Sequence, residues 1–175
     1  VVSESPPPGL SAKLDQTLRE AAVRFAGAKG KAGAFTVSFL ADPASGEHRL
    51  LGTAPGLPES AAVIEFLDEL DLPALEVHLS RGGTLDGEIP EARGHALQVC
   101  LSALDPEDGF TPRPGVVESL RLPAGAGLRA DAAVEEGAAP GGPVHAIALI
   151  TAHGRTRSEA LARLQRGLAR TEAAV

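Results

Sequence analysis

The chain has 175 residues, of which 43% are hydrophobic and 22% charged, a composition typical of a folded globular protein and not of a disordered one. Its formal net charge of −7 argues against a nucleic-acid partner, because phosphate binding needs clustered Lys and Arg. No apolar run approaches the roughly 20 residues that span a bilayer, so we expect no membrane segment. The single cysteine excludes an internal disulfide and favours the cytoplasm.

The first third of the chain predicts an extended segment, one helix and a hairpin. Val1–Gly9 is rich in proline and shows no secretory leader pattern. Ser11 is a candidate N-cap for a helix that runs to about Ala28. Two β-rich runs then flank the turn Asp42–Gly46 and predict a hairpin, with strands at Ala34–Leu40 and Glu47–Leu51. The chain lacks an initiator Met, and we expect it to be a piece of a longer protein.

Two further helices are predicted before the pattern changes to strands. Thr53–Glu59 contains two prolines and predicts a loop, and a helix should follow from about Ser60 to Leu70. Pro73 suits the first position of another helix, which Gly82 and Gly83 would end. Thr84–Arg93 is the predicted boundary between two subdomains.

The sequence from His95 onward predicts several strands and a final helix. The strands expected here are His95–Ala103, Val116–Leu122, Leu128–Val134 and Val144–Ala152. In the first of them, Cys100 lies on the polar side of the alternation. The final helix should begin at Thr156, with Glu159 at capping-box spacing, and bury Leu161, Leu164 and Leu168 while Arg163 lies on its polar side.

Several polar residues have a simple structural interpretation. The five histidines show no metal-binding spacing, and His95 is expected to serve as a structural residue of its strand. A lone thiol such as Cys100 is usually inert packing. The acidic residues Glu65, Asp68, Glu69 and Asp71 are interpreted as a solvated helix face and its end.

Five segments, in order along the chain, together resemble the C-terminal part of biotin carboxylases. The similarities are Val1–Leu10 to V-V-E-E-A-P-A-P-G-L, Gly33–Leu40 to G-A-G-T-V-E-F-L, Leu70–Gly82 to V-D-L-x-x-x-Q-L-R-I-A-A-G, Gly94–Pro106 to G-H-A-x-E-x-R-x-x-A-E-D-P, and Arg157–Leu168 to R-x-E-A-I-x-R-M-x-x-A-L. The resemblance implies an α+β fold in which the end of an ATP-grasp domain, residues 1–83, packs on a biotin-carboxylase C-terminal domain with an antiparallel sheet, residues 84–175.

The resemblance also implies where catalytic groups should stand, and those positions hold other residues. The family's two magnesium-binding glutamates fall on Ser38 and, within a residue, on Gly52. Its E-M-N-x-R-x-Q-V-E-H run continues here through Ala54, Gly56, Pro58 and Ser60, so the metal and bicarbonate ligands are missing; Glu59 could replace the base only after a register slip.

Two more changes remove charged groups. The arginine of G-H-A-x-E-x-R, which stabilises the biotin anion in the family, becomes Cys100, and the preceding glutamate becomes Gln98. The family motif P-x-Y-D-x-M-x-x-K-L-I retains neither its Asp nor its Lys, which are replaced by Pro143 and Ala148. Losing these charges together would remove the electrostatic stabilisation that the reaction requires.

The sequence therefore predicts a catalytically degenerate biotin-carboxylase-like segment of a larger acetyl-CoA or acyl-CoA carboxylase, acting as a structural or docking module. An alternative stays open, in which the segment belongs to an active ATP-dependent biotin carboxylase whose missing groups come from the rest of the parent protein. The isolated segment is not expected to be active, whereas its parent is expected to be a biotin-dependent carboxylase, a ligase. No cofactor or metal is expected for the segment itself, and ATP, magnesium and biotin are implied only for the parent family. The expected partners are other domains or subunits of the carboxylase. Assembly with further copies of the same chain is a second possibility.

Overall fold

The computed structural model describes residues 2–29, 33–87, 90–113, 115–141 and 145–175. Its elements in chain order are β1 (Val2–Ser5), α1 (Ala12–Lys29), β2 (Phe35–Ala41), β3 (His48–Pro55), α2 (Ala61–Asp68), α3 (Leu72–Ser80), β4 (His95–Ser102), β5 (Leu104–Asp105), β6 (Thr111–Pro112), β7 (Ser119–Arg121), β8 (Leu128–Ala132), β9 (Ala146–Gly154), α4 (Arg157–Leu168) and β10 (Glu172–Ala174). Helices accompany antiparallel sheets, which confirms the predicted α+β class. Within these residues no helix has the length and apolar character needed to cross a membrane.

The chain forms two compact units that interleave along the sequence. Unit 1 contains β1, the α2 segment Ala62–Asp68 and everything from Glu91 onward. Unit 2 contains Pro6–Ala61 and Glu69–Pro90. The continuous division into residues 1–83 and 84–175 stays a prediction.

In unit 2, α1 begins where the sequence predicted. The backbone N–H of Leu14 donates to Ser11 Oγ at 3.2 Å, which confirms Ser11 as the N-cap. The β2–β3 hairpin is also confirmed, but β3 is longer than expected because Thr53–Pro55, predicted as loop, continues the ladder opposite Phe35–Val37. Pro55 is tolerated because it is the last residue of the strand.

The two central helices follow the prediction closely. Helix α2 ends at Asp68, two residues before the predicted end, because Glu69 adopts a left-handed conformation with φ of 52°. Helix α3 has Pro73 in its first turn, as predicted, and Asp71 Oδ1 accepts a hydrogen bond from Ala74 N at 2.9 Å. Asp71 is therefore a helix cap.

The main sheet of unit 1 has the order β1-β4-β9-β8 and is antiparallel throughout. Strands β4, β8 and β9 were predicted, although Val144 and Pro143 lie outside the described residues. Two strand predictions were incomplete. The first residues form an edge strand, with Val2 opposite Val99, and the predicted Val116–Leu122 strand shrinks to β7, which pairs with β10 outside this sheet.

One face of the sheet packs against α4 and forms the largest buried cluster described in the chain. Its members are Leu97, Ile150, Ala152, Ala160 and Leu164. The prediction that Leu168 is buried was wrong, because 37% of it is exposed. The inner face of α4 instead continues from Leu164 to Gly167, where an added Cβ would lie 3.3 Å from Leu128 Cδ2. A side chain at position 167 would therefore require Leu128 to shift by a few tenths of an ångström.

Gly94 begins the G-H-A strand for a steric reason. Its φ is +81°, a conformation that residues with a side chain rarely adopt. A Cβ at this position would also meet the carbonyl oxygen of Gly154 and lie 2.7 Å from His153 Nε2. The strand therefore requires glycine at its start.

Candidate functional site

The hairpin of unit 2 brings three of the predicted site positions onto one face. Ser38 lies directly opposite Gly52, and Thr36 lies directly opposite Ala54. Opposed residues of an antiparallel pair share a face, and positions two apart along a strand share it too. Ser38, Gly52 and Ala54 are exposed, so this face presents a hydroxyl among small neutral groups.

Gly56 closes the base of this hairpin. Its φ is +83°, and its N–H donates to the Ala34 carbonyl at 2.9 Å. Its own carbonyl accepts a hydrogen bond from Thr36 Oγ1 at 3.3 Å. Position 56 therefore has a conformational role that glycine fills readily.

The carboxylate nearest in sequence to β2 forms the hairpin turn. Asp42 accepts hydrogen bonds from Ser45 Oγ at 2.7 Å and from Ala44 N at 2.9 Å. These two contacts, with the Ser45 hydroxyl as the larger cause, hold the pKa of Asp42 below its usual value. The geometry is that of an Asx turn, so we assign Asp42 a structural role.

In the described parts of the chain, no group of three or more His, Cys, Asp or Glu side chains is arranged to hold a metal ion. A cleft of about 420 Å³ in unit 2 is lined mainly by apolar groups, among them Leu70, Leu75 and Leu85. Its histidine, His78, donates from Nε2 to the carbonyl of Thr84 at 3.0 Å when that nitrogen carries the proton. That contact gives His78 a local structural partner.

Cys100 lies in unit 1, on the sheet face opposite to the α4 core. Gln98, two residues earlier, shares this face and is only 3% exposed. Cys100 is half-buried, with its Sγ 3.4 Å from Ser102 Oγ. The thiol thus neighbours neutral polar groups along its own strand.

Helix α2 contacts the same sheet face through apolar and charged groups. Val63 and Leu67 pack on Ala96, and the Phe66 ring stacks on His153 with centroids 5.8 Å apart. These contacts join the helix to two neighbouring strands, β4 and β9.

An ion pair adds a third strand to this contact. Arg129 of β8 donates to Glu65 of α2 at 2.5 Å and to Asp131 at 3.0 Å. Its hydrogen bonds, first to Asp131 and then to Glu65, raise the pKa of Arg129. The interpretation of Glu65 as part of a solvated face was wrong, because its side chain is only 13% exposed.

A charged cluster that the sequence did not indicate joins β1, β4 and α4. Glu4 Oε1 lies 2.6 Å from His95 Nε2, and Arg157 pairs with both Glu4 oxygens, the second at 3.1 Å. The Arg157 hydrogen bond is the main cause that lowers the pKa of Glu4. His95 is 8% exposed and has the structural role expected of it.

The structure thus groups Ser38, Gly52 and Ala54 on one hairpin face, with Gly56 at its base, and places Cys100 in the other unit. Sequence reasoning missed Glu4 and Arg157 as partners because 153 residues separate them. No local spacing could have indicated that pair.

Comparisons with known proteins cover both parts of the chain. Residues 98–174 match the family model described as the biotin carboxylase C-terminal domain. Residues 1–88 match the model described as the ATP binding domain of the carbamoyl-phosphate synthase L chain.

Two curated relatives align with nearly the whole chain. Biotin carboxylase 1 of Bacillus subtilis is 30% identical over 171 residues, which cover 96% of this chain and 38% of the relative. The biotin-dependent acyl-coenzyme A carboxylase alpha3 subunit of Mycobacterium leprae is 32% identical over 170 residues, which cover 96% of this chain and 28% of the relative. The chain thus spans well under half the length of either protein.

A solved structure extends the similarity to the backbone. The complete multifunctional pyruvate carboxylase of Rhizobium etli superposes with a TM-score of 0.87 and 26% identity, over 100% of this chain and 18% of that one. The backbone similarity to this structure therefore extends to both units.

Proposed function

Because this chain belongs to the biotin carboxylase family, we propose that it is a catalytically degenerate segment of a larger biotin-dependent carboxylase and serves as a structural or docking module. One observation carries the proposal. Ser38 and Gly52, which stand where the resemblance places the two magnesium-binding glutamates, face each other across the hairpin. A hydroxyl and a hydrogen atom replace two carboxylates.

The chemistry of magnesium explains why this exchange matters. Magnesium is a hard cation that binds to proteins through carboxylate oxygens and to nucleotides through phosphate oxygens. Phosphoryl transfer depends on that ion to neutralise charge between the phosphates. A face carrying Ser38, Gly52 and Ala54 offers one neutral hydroxyl for this task, so ATP should gain little from binding there.

The former biotin-binding position supports the same proposal. Cys100 occupies the position of the family arginine, and its half-buried thiol neighbours Gln98 and Ser102. A neutral thiol cannot supply the positive charge that stabilises a developing anion. The expectations that this segment holds no ATP, magnesium or biotin of its own, and that it works in the cytoplasm, remain part of the proposal.

Binding of Mg-ATP to this chain gives a direct test. Isothermal titration calorimetry should show no measurable binding, with or without bicarbonate, because the metal ligands are missing. An intact biotin carboxylase serves as the positive control. Magnesium-dependent binding in the micromolar range would contradict the proposal and favour the alternative of a retained ATP site.

The docking role needs a separate test in the full-length parent protein. Deleting residues 1–175 should disturb assembly with the other domains or subunits more than substituting the hairpin face by Ser38→Ala and Ala54→Ser. Size-exclusion chromatography with light scattering measures the assembly of both variants. An unchanged assembly after the deletion, together with lost carboxylation, would show a direct catalytic contribution instead.

A further inference from the structure

On the face of the unit 1 sheet opposite to the α4 core, two buried polar atoms lack a hydrogen-bond partner among the described residues. They are Gln98 Nε2 and Thr151 Oγ1. Gln98 is 3% exposed and Thr151 is fully buried. The two residues are direct partners in the β4–β9 ladder, so their side chains leave the sheet side by side on one face.

Gln98 and Thr151 are the middle pair of a row of four residues that runs across the sheet from Ser3 to Arg129. Neither end of this row supplies an obvious hydrogen-bond partner. Across β9, Thr151 lies opposite Arg129, whose guanidinium is engaged by Glu65 and Asp131. Across β4, Gln98 lies opposite Ser3, which is half-buried. The centre of the row, Gln98 and Thr151, is therefore buried, polar and neutral. The positive charge of Arg129 at one end is balanced by Glu65 and Asp131.

One shared ligand would satisfy both buried atoms at once. A buried polar group without a partner destabilises the folded state, and nearly all such groups in native proteins are hydrogen-bonded to protein or to ordered water. The amide nitrogen of Gln98 can only donate, whereas the hydroxyl of Thr151 can donate or accept. Because both residues are almost fully buried, we consider only a ligand as small as water.

We propose that Gln98 and Thr151 bind one buried water molecule, which accepts a hydrogen bond from Gln98 Nε2 and exchanges one with Thr151 Oγ1. A water of this kind satisfies otherwise orphaned groups and is an integral part of a fold. It links β4 to β9 through their side chains, beside Arg129 of β8, which lies opposite Thr151 and pairs with Glu65 of α2. The inference does not depend on the proposed function.

A crystal structure of this protein at a resolution that shows ordered water provides the first test. The expected result is one density peak within about 2.7–3.2 Å of both atoms. A direct hydrogen bond between the two side chains would overturn the proposal. The absence of any water peak near the two atoms would overturn it as well.

Urea unfolding of Gln98→Met, Thr151→Val and the double variant provides the second test. With a shared water, each single change leaves the other group poorly bonded and should lower the folding equilibrium constant about 3- to 10-fold. The double variant should lose much less than the product of the two effects. The matched control Thr53→Val, on exposed strand β3, should change little. Single variants that are neutral or more stable would mean that the groups are simply orphaned, which contradicts the proposal.

Discussion

Glu4 is the residue that ties the start of the chain to its final helix. Its carboxylate contacts His95 on the neighbouring strand and Arg157 on α4, and its side chain is only 15% exposed. Surface ion pairs contribute little to stability, but a shielded carboxylate with two partners contributes more. We therefore expect Glu4 to strengthen the attachment of edge strand β1, which is also paired with β4 through its backbone.

The Glu4→Gln variant should show a pH-dependent loss of stability. The pKa of Glu4 is lowered in the folded protein from an ordinary value of 4.5, chiefly by the Arg157 hydrogen bond. A depressed pKa means that the stabilisation is complete above pH 4.5 and disappears as the pH falls through the folded-state pKa. The difference in unfolding free energy between wild type and Glu4→Gln should therefore shrink as the pH falls below about 4.5.

Urea titrations of both proteins across this pH range measure that difference. Subtracting the variant from wild type removes the contributions of other carboxylates with lowered pKa, such as Asp42 and Glu159. A difference that stays constant down to pH 3 would show that Glu4 is not bonded as the structure indicates.

At the scale of the element, helix α4 shows which residues pack against the sheet and which remain exposed. Leu164 is buried in the sheet contact, whereas Leu168 is 37% exposed, although both fit a simple apolar spacing. Arg163, expected on the polar side, donates to the His153 carbonyl at 2.7 Å and to Glu159 at 2.6 Å. The helix therefore docks through both an apolar stripe and a guanidinium.

Truncation of the two leucines should give different results. Leu164→Ala should lower the free energy of unfolding by about 2–5 kcal/mol, because it opens a cavity in a packed core. Leu168→Ala should change it by no more than about 0.5 kcal/mol, as for other surface positions. Chemical denaturation of both variants measures this contrast, and equal effects would mean that α4 is not docked as described.

At the scale of the whole molecule, the two units differ in how much they bury. All three buried hydrophobic clusters found in the described residues belong to unit 1. In unit 2, among the residues described, Leu14 is the one apolar side chain that is nearly fully buried. Because burial of apolar surface is the main source of folding free energy, unit 1 should be the more stable part.

Hydrogen exchange should reveal this difference directly. Amides of β4 and β9, in the centre of the main sheet, should exchange much more slowly than those of β2 and β3, which form an isolated two-stranded hairpin. Mass spectrometry of the exchanging chain measures both regions in one experiment. Equal protection would indicate that the hairpin gains stability from contacts not seen in this chain.

The sequence determined most of the local structure. Ser11 and Asp71 lie at their helix starts because capping depends on residues three positions apart. The β2–β3 hairpin could also be anticipated, but its turn length alone would pair Ser38 with Leu51, and a register shift between Ser38 and Phe39 places Gly52 opposite Ser38 instead. The family resemblance was likewise visible in the sequence, because it depends on short segments that follow one another in a fixed order along the chain.

Tertiary structure decided what depends on distant partners. Within the extended start of the chain, Val2–Ser5 forms strand β1 by pairing with β4, and Glu4 pairs with Arg157, 153 positions away. On α4 the buried face runs through Leu164 and Gly167 and leaves Leu168 37% exposed. Local patterns report propensity and periodicity, whereas burial and ion pairing depend on which surfaces meet, and that is settled only when the whole chain has packed.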